Sequence, residues 1–249
     1  MNTETTYLIF LLLTFVVAVL YSSVGHGGAS GYLALMAVFG IAPSMMKSSA
    51  LMMNVLVSLI AFIHYYRSGN FNRKIFLPFA VTSVPAAFLR GSLHVDENIY
   101  NKILCAFLIF PVLRLFGVFG RDAEKKKQIN NILAALIGFA IGLLSGMIGI
   151  GGGIILSPVL LLLHWANIKE TAAVSSLFIF LNSIAGLMGI ISTATFINPV
   201  VILWVAISLV GGFVGAYAGA RKMKNPVLKK ILATVLLFAS VKLFFTSAK

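Results

Sequence analysis

The sequence predicts an all-α polytopic membrane protein made of two inverted repeats, each a broken or re-entrant first segment followed by three transmembrane helices. Three observations lead to this fold class. The 249-residue chain is 60% hydrophobic and only 10% charged, with a mean hydropathy of +1.03, whereas a water-soluble fold must cover its surface with polar groups. A glycine-rich break interrupts an apolar stretch twice, at Gly25 and at Gly149. The two halves also resemble each other beyond these glycines.

Each half begins with an apolar helix, a glycine-rich break and a short apolar segment. One straight helix over residues 7–40 would be about 50 Å long at ~1.5 Å per residue, whereas the hydrocarbon core is about 30 Å thick. We therefore expect the chain to turn back at the glycines. The first helices are predicted at about 7–23 and 131–148, the breaks are Gly25-His26-Gly27-Gly28-Ala29 and Gly149-Ile150-Gly151-Gly152-Gly153, and the short segments lie at about 30–40 and 154–164.

Three full spans follow in each half. They are predicted at about 49–66, 75–93 and 98–118, and at about 170–191, 197–219 and 228–246. The later spans match as well, since Lys102-Ile103-Leu104 corresponds to Lys230-Ile231-Leu232. The predicted organisation is a first repeat over residues 1–120, a basic cytoplasmic linker over 121–128 and a second repeat over 129–249.

The basic loops decide the topology. The loops 67–74, 121–127 and 221–230 hold twelve of the nineteen Lys and Arg residues. If each glycine segment is re-entrant, all three loops face the cytoplasm, as the positive-inside rule requires. Counting each glycine segment as a full crossing puts two of them outside. The sequence thus predicts inverted repeats in the cytoplasmic (inner) membrane, with both termini outside the cell.

Charge and cysteine content exclude several functions. The net charge of +13 comes from short loops between apolar spans, so it marks topology rather than nucleic-acid binding. Cys105 is alone, which leaves no CxxC motif and no thiolate metal site. The chain lacks HExxH, paired intramembrane aspartates and GxSxG. We expect no enzymatic activity, no metal and no cofactor.

The breaks predict an anion site. A half-helix that begins after each break directs its N-terminal dipole and free backbone N–H groups toward the middle of the membrane, which favours an anion. All six Asp and Glu residues lie in predicted loops or at their edges, so no carboxylate is placed to hold a cation. Close packing between helices is the alternative explanation for the glycines.

The candidate substrate-binding residues are the breaks and polar side chains on the spans that follow them. His26 could donate a hydrogen bond to an anion and titrate near neutral pH, or it could be a neutral histidine bonded to a backbone carbonyl. The hydroxyl and amide groups could line a pathway or bridge helices. The predicted residues are Gly25, His26, Gly27, Gly28, Ala29, Asn54, Ser58, Gly149, Gly151, Gly152, Gly153, Ser175, Ser176 and Asn182.

With these two breaks and the duplicated plan, the chain resembles the TauE/SafE family of sulfite and organosulfonate exporters over essentially its whole length. Members of that family carry a GxGGG-like segment in each half. Gly149–Gly153 matches fully, whereas the first break ends in Ala29 and carries His26 at the variable position. The resemblance implies movement of sulfite, sulfoacetate or another organosulfonate across the cytoplasmic membrane.

Secondary transport by alternating access around two broken helices is the expected mechanism. A passive anion channel could attract an anion with the same helix dipoles, and an intramembrane enzyme is a further alternative. The expected partners are a small anionic substrate and the lipid bilayer, without nucleic acid, and a homodimer is compatible with the sequence. The direction of transport, the coupling ion and the oligomeric state are open at this point.

Overall fold

A computed structural model describes residues 3–91, 127–191 and 199–222. Every regular element in these ranges is an α-helix. The predicted spans at 98–118 and 228–246, and nearly all of the linker, lie outside the described residues. In chain order the helices are α1 Thr3–Ser23, α2 Ala29–Val38, α3 Pro43–Arg67, α4 Arg73–Gly91, α5 Asn131–Ile148, α6 Gly153–Leu162, α7 Ile168–Ile191 and α8 Val200–Arg221.

Five of the described helices, α1, α3, α5, α7 and α8, are long and apolar enough to cross a membrane. They identify a multi-pass membrane protein, as the composition predicts. Helix α4 occupies nearly the residues of the predicted span 75–93 but is not among the five. It begins with Arg73 and Lys74 and has Arg90 in its last turn, so charged residues border its apolar stretch at both ends.

The first segment of each half is broken at the glycines. Helices α2 and α6 contain 10 residues each, about 15 Å of helix, and cannot cross a core of about 30 Å by themselves. Their N-caps, Gly28 with φ of 96° and Gly152 with φ of 76°, are left-handed. Glycine adopts this conformation without the steric cost that a Cβ would bring.

The helix pairs follow a pattern that is unchanged when the two halves are exchanged. Helix α1 packs along α8, as α4 packs along α5, and α3 packs against α7 at the centre. Helix α3 also contacts α8, as α7 contacts α4, and each short helix, α2 or α6, packs on the long helix that follows it. The breaks are thereby enclosed by the long helices.

Two stripes of glycine bring neighbouring backbones close together. Gly142 on α5 lies against the Ser83 carbonyl of α4, and Gly215 on α8 lies against the Val19 carbonyl of α1. A side chain at either position would collide with a backbone oxygen, so these glycines serve helix packing. The stripes consist of Gly138, Gly142 and Gly146 on α5, and of Gly211, Gly215 and Gly219 on α8.

Candidate functional site

Both glycine breaks reach the middle of the central helix pair. A Cβ on Gly27 would meet the side chains of Asn54 and Ile179, and a Cβ on Gly151 would meet the same two side chains together with Ser183. Asn54 lies about 16 Å along α3 from its start, at ~1.5 Å per residue, which is close to the midpoint of that helix. The structure therefore brings the predicted residues Gly27, Gly151 and Asn54 together.

The Asn54 side chain joins the two breaks by hydrogen bonds. Its Oδ1 accepts from the Ala29 N–H at 3.2 Å, and its Nδ2 donates to Ser183 Oγ at 3.0 Å and to the Ile150 carbonyl at 3.4 Å. Asn54 is fully buried. Because Ala29 is the first residue of α2, the amide oxygen occupies a position at a helix N-terminus where an anion's oxygen could bind.

The N-terminus of α6 has no such cap. Ile179, rather than a polar side chain, packs against Gly153, the first residue of α6. The N–H groups of Ile155 and Leu156 donate to the Gly152 carbonyl at 3.1 and 3.0 Å. Within the described ranges, the N–H groups of Gly153 and Ile154 have no acceptor. The second break therefore retains hydrogen-bond donors that an anion could use.

His26 connects the first break to the second half of the chain. Its Nδ1 lies 3.0 Å from the Val24 carbonyl and its Nε2 lies 3.0 Å from Ser157 Oγ. Ser157 Oγ also lies 2.8 Å from Ser175 Oγ and 2.9 Å from the Gly153 carbonyl. A carbonyl can only accept, so Nδ1 carries a proton, and in the neutral ring Ser157 donates to Nε2. A charged imidazolium would instead donate to Ser157, which can turn to the Gly153 carbonyl. Both protonation states thus have partners.

Three predicted polar residues bond mainly within their own helices or to a neighbouring helix. Ser58 Oγ donates to the carbonyl of Asn54, and Ser176 Oγ donates to the carbonyl of Ala173 at 2.9 Å. Asn182 Nδ2 donates to Ser83 Oγ at 3.1 Å and to the Phe178 carbonyl at 2.9 Å. The structure therefore does not bring these three residues into hydrogen-bond contact with the Asn54 side chain. Asn182 Oδ1 is buried and has no partner among the described residues.

The first glycines of the two breaks lie against the third helix of the opposite half. A Cβ on Gly25 would meet the backbone and side chain of Ala172 near the start of α7. A Cβ on Gly149 would lie 2.9 Å from Lys47 Cγ and 3.2 Å from the Lys47 carbonyl oxygen near the start of α3. The two contacts correspond under exchange of the halves, although one partner is alanine and the other is lysine.

Lys47 is not among the site residues predicted from the sequence. Lys47 is half-buried within a membrane-spanning helix. A signal was present in the sequence: Lys47 lies near the end of α3 opposite to Arg67 and the basic loop. The positive-inside rule supplies no reason for a lysine there.

No described residues form a metal centre, since in the ranges 3–91, 127–191 and 199–222 no three His, Cys, Asp or Glu side chains lie close enough to share an ion. The polar groups at the breaks are instead hydroxyls, amides, an imidazole and backbone N–H groups. Such groups recognise solutes by hydrogen bonding, and their arrangement around broken helices in a multi-pass protein is that of a membrane transporter.

The comparisons with known proteins agree with this class. A family model described as sulfite exporter TauE/SafE matches residues 10–243, and the chain belongs to this family, which confirms the resemblance found in the sequence. Membership of a transporter family also agrees with a chain that is not an enzyme.

Two curated relatives match along nearly their whole lengths. The probable membrane transporter protein y4hK of Sinorhizobium fredii is 33% identical, over 93% of this chain and 95% of that protein. The probable membrane transporter protein YdhB of Bacillus subtilis is 28% identical, over 96% of this chain and 100% of that protein. No solved structure matches the chain.

Proposed function

We propose that this protein is a secondary transporter that moves a small sulfur-containing anion across the cytoplasmic membrane by alternating access. Sulfite, sulfoacetate and other organosulfonates are the proposed substrates. The N-termini of α2 and α6 at the two breaks hold the anion. The description of the family as sulfite exporter supports the substrate class, and the described geometry supports the site.

The observation that carries the proposal is the hydrogen bond from the Ala29 N–H to Asn54 Oδ1. Asn54 Oδ1, an uncharged oxygen, accepts from the N-terminus of α2 at the place where Gly151 of the second break lies against Asn54. An oxyanion carries more negative charge than an amide oxygen and forms stronger hydrogen bonds. The substrate therefore replaces Asn54 at Ala29, and the asparagine acts as a stand-in ligand when the anion is absent.

Displacement of Asn54 also offers a link between binding and movement. The same side chain donates to Ile150 and Ser183 in the second half of the chain. A substrate that turns Asn54 away from Ala29 weakens these bonds between the halves. Binding then changes the relative stability of the conformation in which Asn54 joins the two halves. A ligand shifts a conformational equilibrium only by such a difference between conformations.

The other residues have supporting roles in this proposal. Gly25, Gly28, Gly149 and Gly152 turn the backbone through left-handed conformations. His26, Ser157 and Ser175 form a polar chain from the first break to α6 and α7, which can carry a proton with the anion. Ser58, Ser176 and Asn182 position the helices that carry the site.

The symmetric pairing of α1 with α8 and of α4 with α5 supports inverted repeats over residues 1–120 and 129–249, joined by a cytoplasmic linker at 121–128. The basic loops support a topology with both termini outside. A reporter fused after Lys249 tests this topology: we expect it to be active only when exported, and a cytoplasmic C-terminus would contradict inverted repeats.

Counterflow in proteoliposomes tests the transport mechanism. Vesicles loaded with unlabelled sulfite should transiently accumulate labelled sulfite above its external concentration, because a carrier exchanges one anion for another. A passive channel gives equilibration without accumulation. Loading with sulfoacetate, thiosulfate, sulfate or acetate in parallel defines the substrate class. Absence of flux for every sulfur anion in the panel would refute the proposal.

A further inference from the structure

We infer that Lys47 and Ser145 are ligands for the anion at the second break and supply its positive charge and a buried hydroxyl donor. The inference rests on the proposed function, since it names further residues of the same site. Neither residue belongs to a glycine-rich break, and both lie where the end of α5 meets the start of α3.

The two side chains flank the same turn. Lys47 Cγ lies 2.9 Å from the position that a Cβ on Gly149 would occupy. The Gly149 N–H donates to the Ser145 carbonyl at 2.8 Å, and Ser145 Cβ lies 3.3 Å from the position of a Cβ on Gly152. Lys47 and Ser145 therefore approach the turn from two helices, directly before the uncapped N-terminus of α6.

The lysine is not required to pack this turn. At the first break, Gly25 makes the corresponding contact with Ala172 on α7, so an alanine is sufficient to hold a glycine turn against the third helix. Lysine within a membrane-spanning segment is costly and usually marks a functional site. The positive-inside rule does not explain Lys47 either, because Arg67 and the basic loop lie about 30 Å away along α3 at ~1.5 Å per residue.

Ser145 is an independent indication of a ligand. Ser145 is 0% exposed, and its Oγ has no hydrogen-bond partner among the described residues. A buried hydroxyl without a partner is unfavourable. An oxyanion beside Gly152 would accept from this hydroxyl and from the free N–H groups of Gly153 and Ile154. An ammonium, a hydroxyl and two backbone N–H groups are suitable donors for a sulfite or sulfonate group with several oxygens.

Four variants test the inference. Lys47→Met removes the charge at similar length, Lys47→Arg keeps it, and Ser145→Ala removes the hydroxyl. Lys169→Met is the matched control, because Lys169 lies exposed in the first turn of the corresponding helix α7. Each purified protein is measured for sulfite affinity by titration calorimetry, for transport KM in proteoliposomes and for thermal stability in detergent without anion.

We expect Lys47→Met to weaken sulfite binding by about tenfold or more and Ser145→Ala by about fivefold, as for hydrogen bonds to a charged ligand. Lys47→Arg should stay within about threefold of wild type, and Lys169→Met should not change. In the absence of anion, Ser145→Ala should be at least as stable as wild type, because it removes a buried hydroxyl that has no partner among the described residues. A merely structural role predicts the opposite, lower stability with unchanged affinity.

The outcomes separate this inference from the function on which it rests. If wild type binds sulfite and Lys47→Met binds it equally well, the lysine assignment is overturned and the transport proposal stands. If wild type binds none of sulfite, sulfoacetate and thiosulfate, the transport proposal fails and the inference fails with it.

Discussion

Replacing Asn54 with alanine is expected to destabilise the protein by about 2–4 kcal/mol. The side chain is fully buried and makes three hydrogen bonds, to Ala29, Ile150 and Ser183. A hydrogen bond contributes about 0.5–1.5 kcal/mol net in proteins, and bonds between membrane helices average about 0.6 kcal/mol. The loss of three hydrogen bonds of this strength accounts for the expected destabilisation. Two of the three bonds, those to Ile150 and Ser183, join the two halves of the chain, so their loss should weaken the contact between the halves.

Equilibrium unfolding in mixed micelles of sodium dodecyl sulfate measures this loss. Asn54→Ala is compared with Ser183→Ala and with the double variant, and the coupling energy between the two residues should be about 0.6 kcal/mol or more. Asn70→Ala is the control, since Asn70 lies in an exposed turn and its amide donates to Ser68 within the same turn. A change within about 0.5 kcal/mol is expected there.

The same position has a functional consequence. Asn54→Asp keeps an acceptor for the Ala29 N–H but adds negative charge where the substrate's own charge is proposed to lie, so sulfite transport should fall at least about tenfold through like-charge repulsion. A loss of stability below about 0.5 kcal/mol for Asn54→Ala would refute the assigned bonds. Sulfite transport at the wild-type rate by Asn54→Asp would refute the location of the anion.

Three further predictions concern the glycines and the histidine. Gly151→Ala should abolish transport, because the φ of Gly151 is 69° and a Cβ would lie 2.5 Å from the Asn54 amide nitrogen. Gly40→Ala is the control, since Gly40 has a φ of 70° and open space around it. This variant should keep transport and lose only about 1–2 kcal/mol of stability. His26→Gln should flatten the dependence of the transport rate on pH, and an unchanged profile would exclude proton transfer through this ring. Gly215→Ala should destabilise the α1–α8 contact by about 1–3 kcal/mol, measured by unfolding in micelles. Gly186→Ala should be tolerated, because the nearest neighbour of a Cβ at Gly186 is 3.4 Å away. Equal losses of stability in the two variants would contradict the role of Gly215 in helix packing.

The sequence located the helices because the relevant signals are local. The length of residues 7–40 against the thickness of the bilayer predicted a break, and the glycines placed it, so that α2 begins at Ala29 and α6 at Gly153. The expected start of the second span at about 49 was late, since α3 already begins at Pro43. Apolar composition reports where a chain is buried in lipid but not where a helix first forms.

The sequence selected candidate residues, and the structure shows which of them lie close together. Gly27, Gly151 and Asn54 meet, while Ser58 and Ser176 bond within their own helices. Ile179 also lies against Gly27 and Gly151. It was not selected from the sequence because polar side chains and glycines indicate an anion site, whereas Ile179 is apolar. Lys47 was passed over because its relation to Gly149 spans about a hundred residues of chain and exists only after folding.

The amino-acid sequence by itself determined the class of protein, the helical architecture, the two breaks and the family, since hydrophobicity, helix length and the conformational freedom of glycine are properties of short segments. Only the tertiary structure decided that one asparagine serves both breaks, that His26 reaches Ser157, and that Lys47 lies at one turn where Ala172 lies at the other. These pairings depend on the packing of α3 against α7. That packing brings together residues from distant parts of the chain and has no counterpart in any short stretch of sequence.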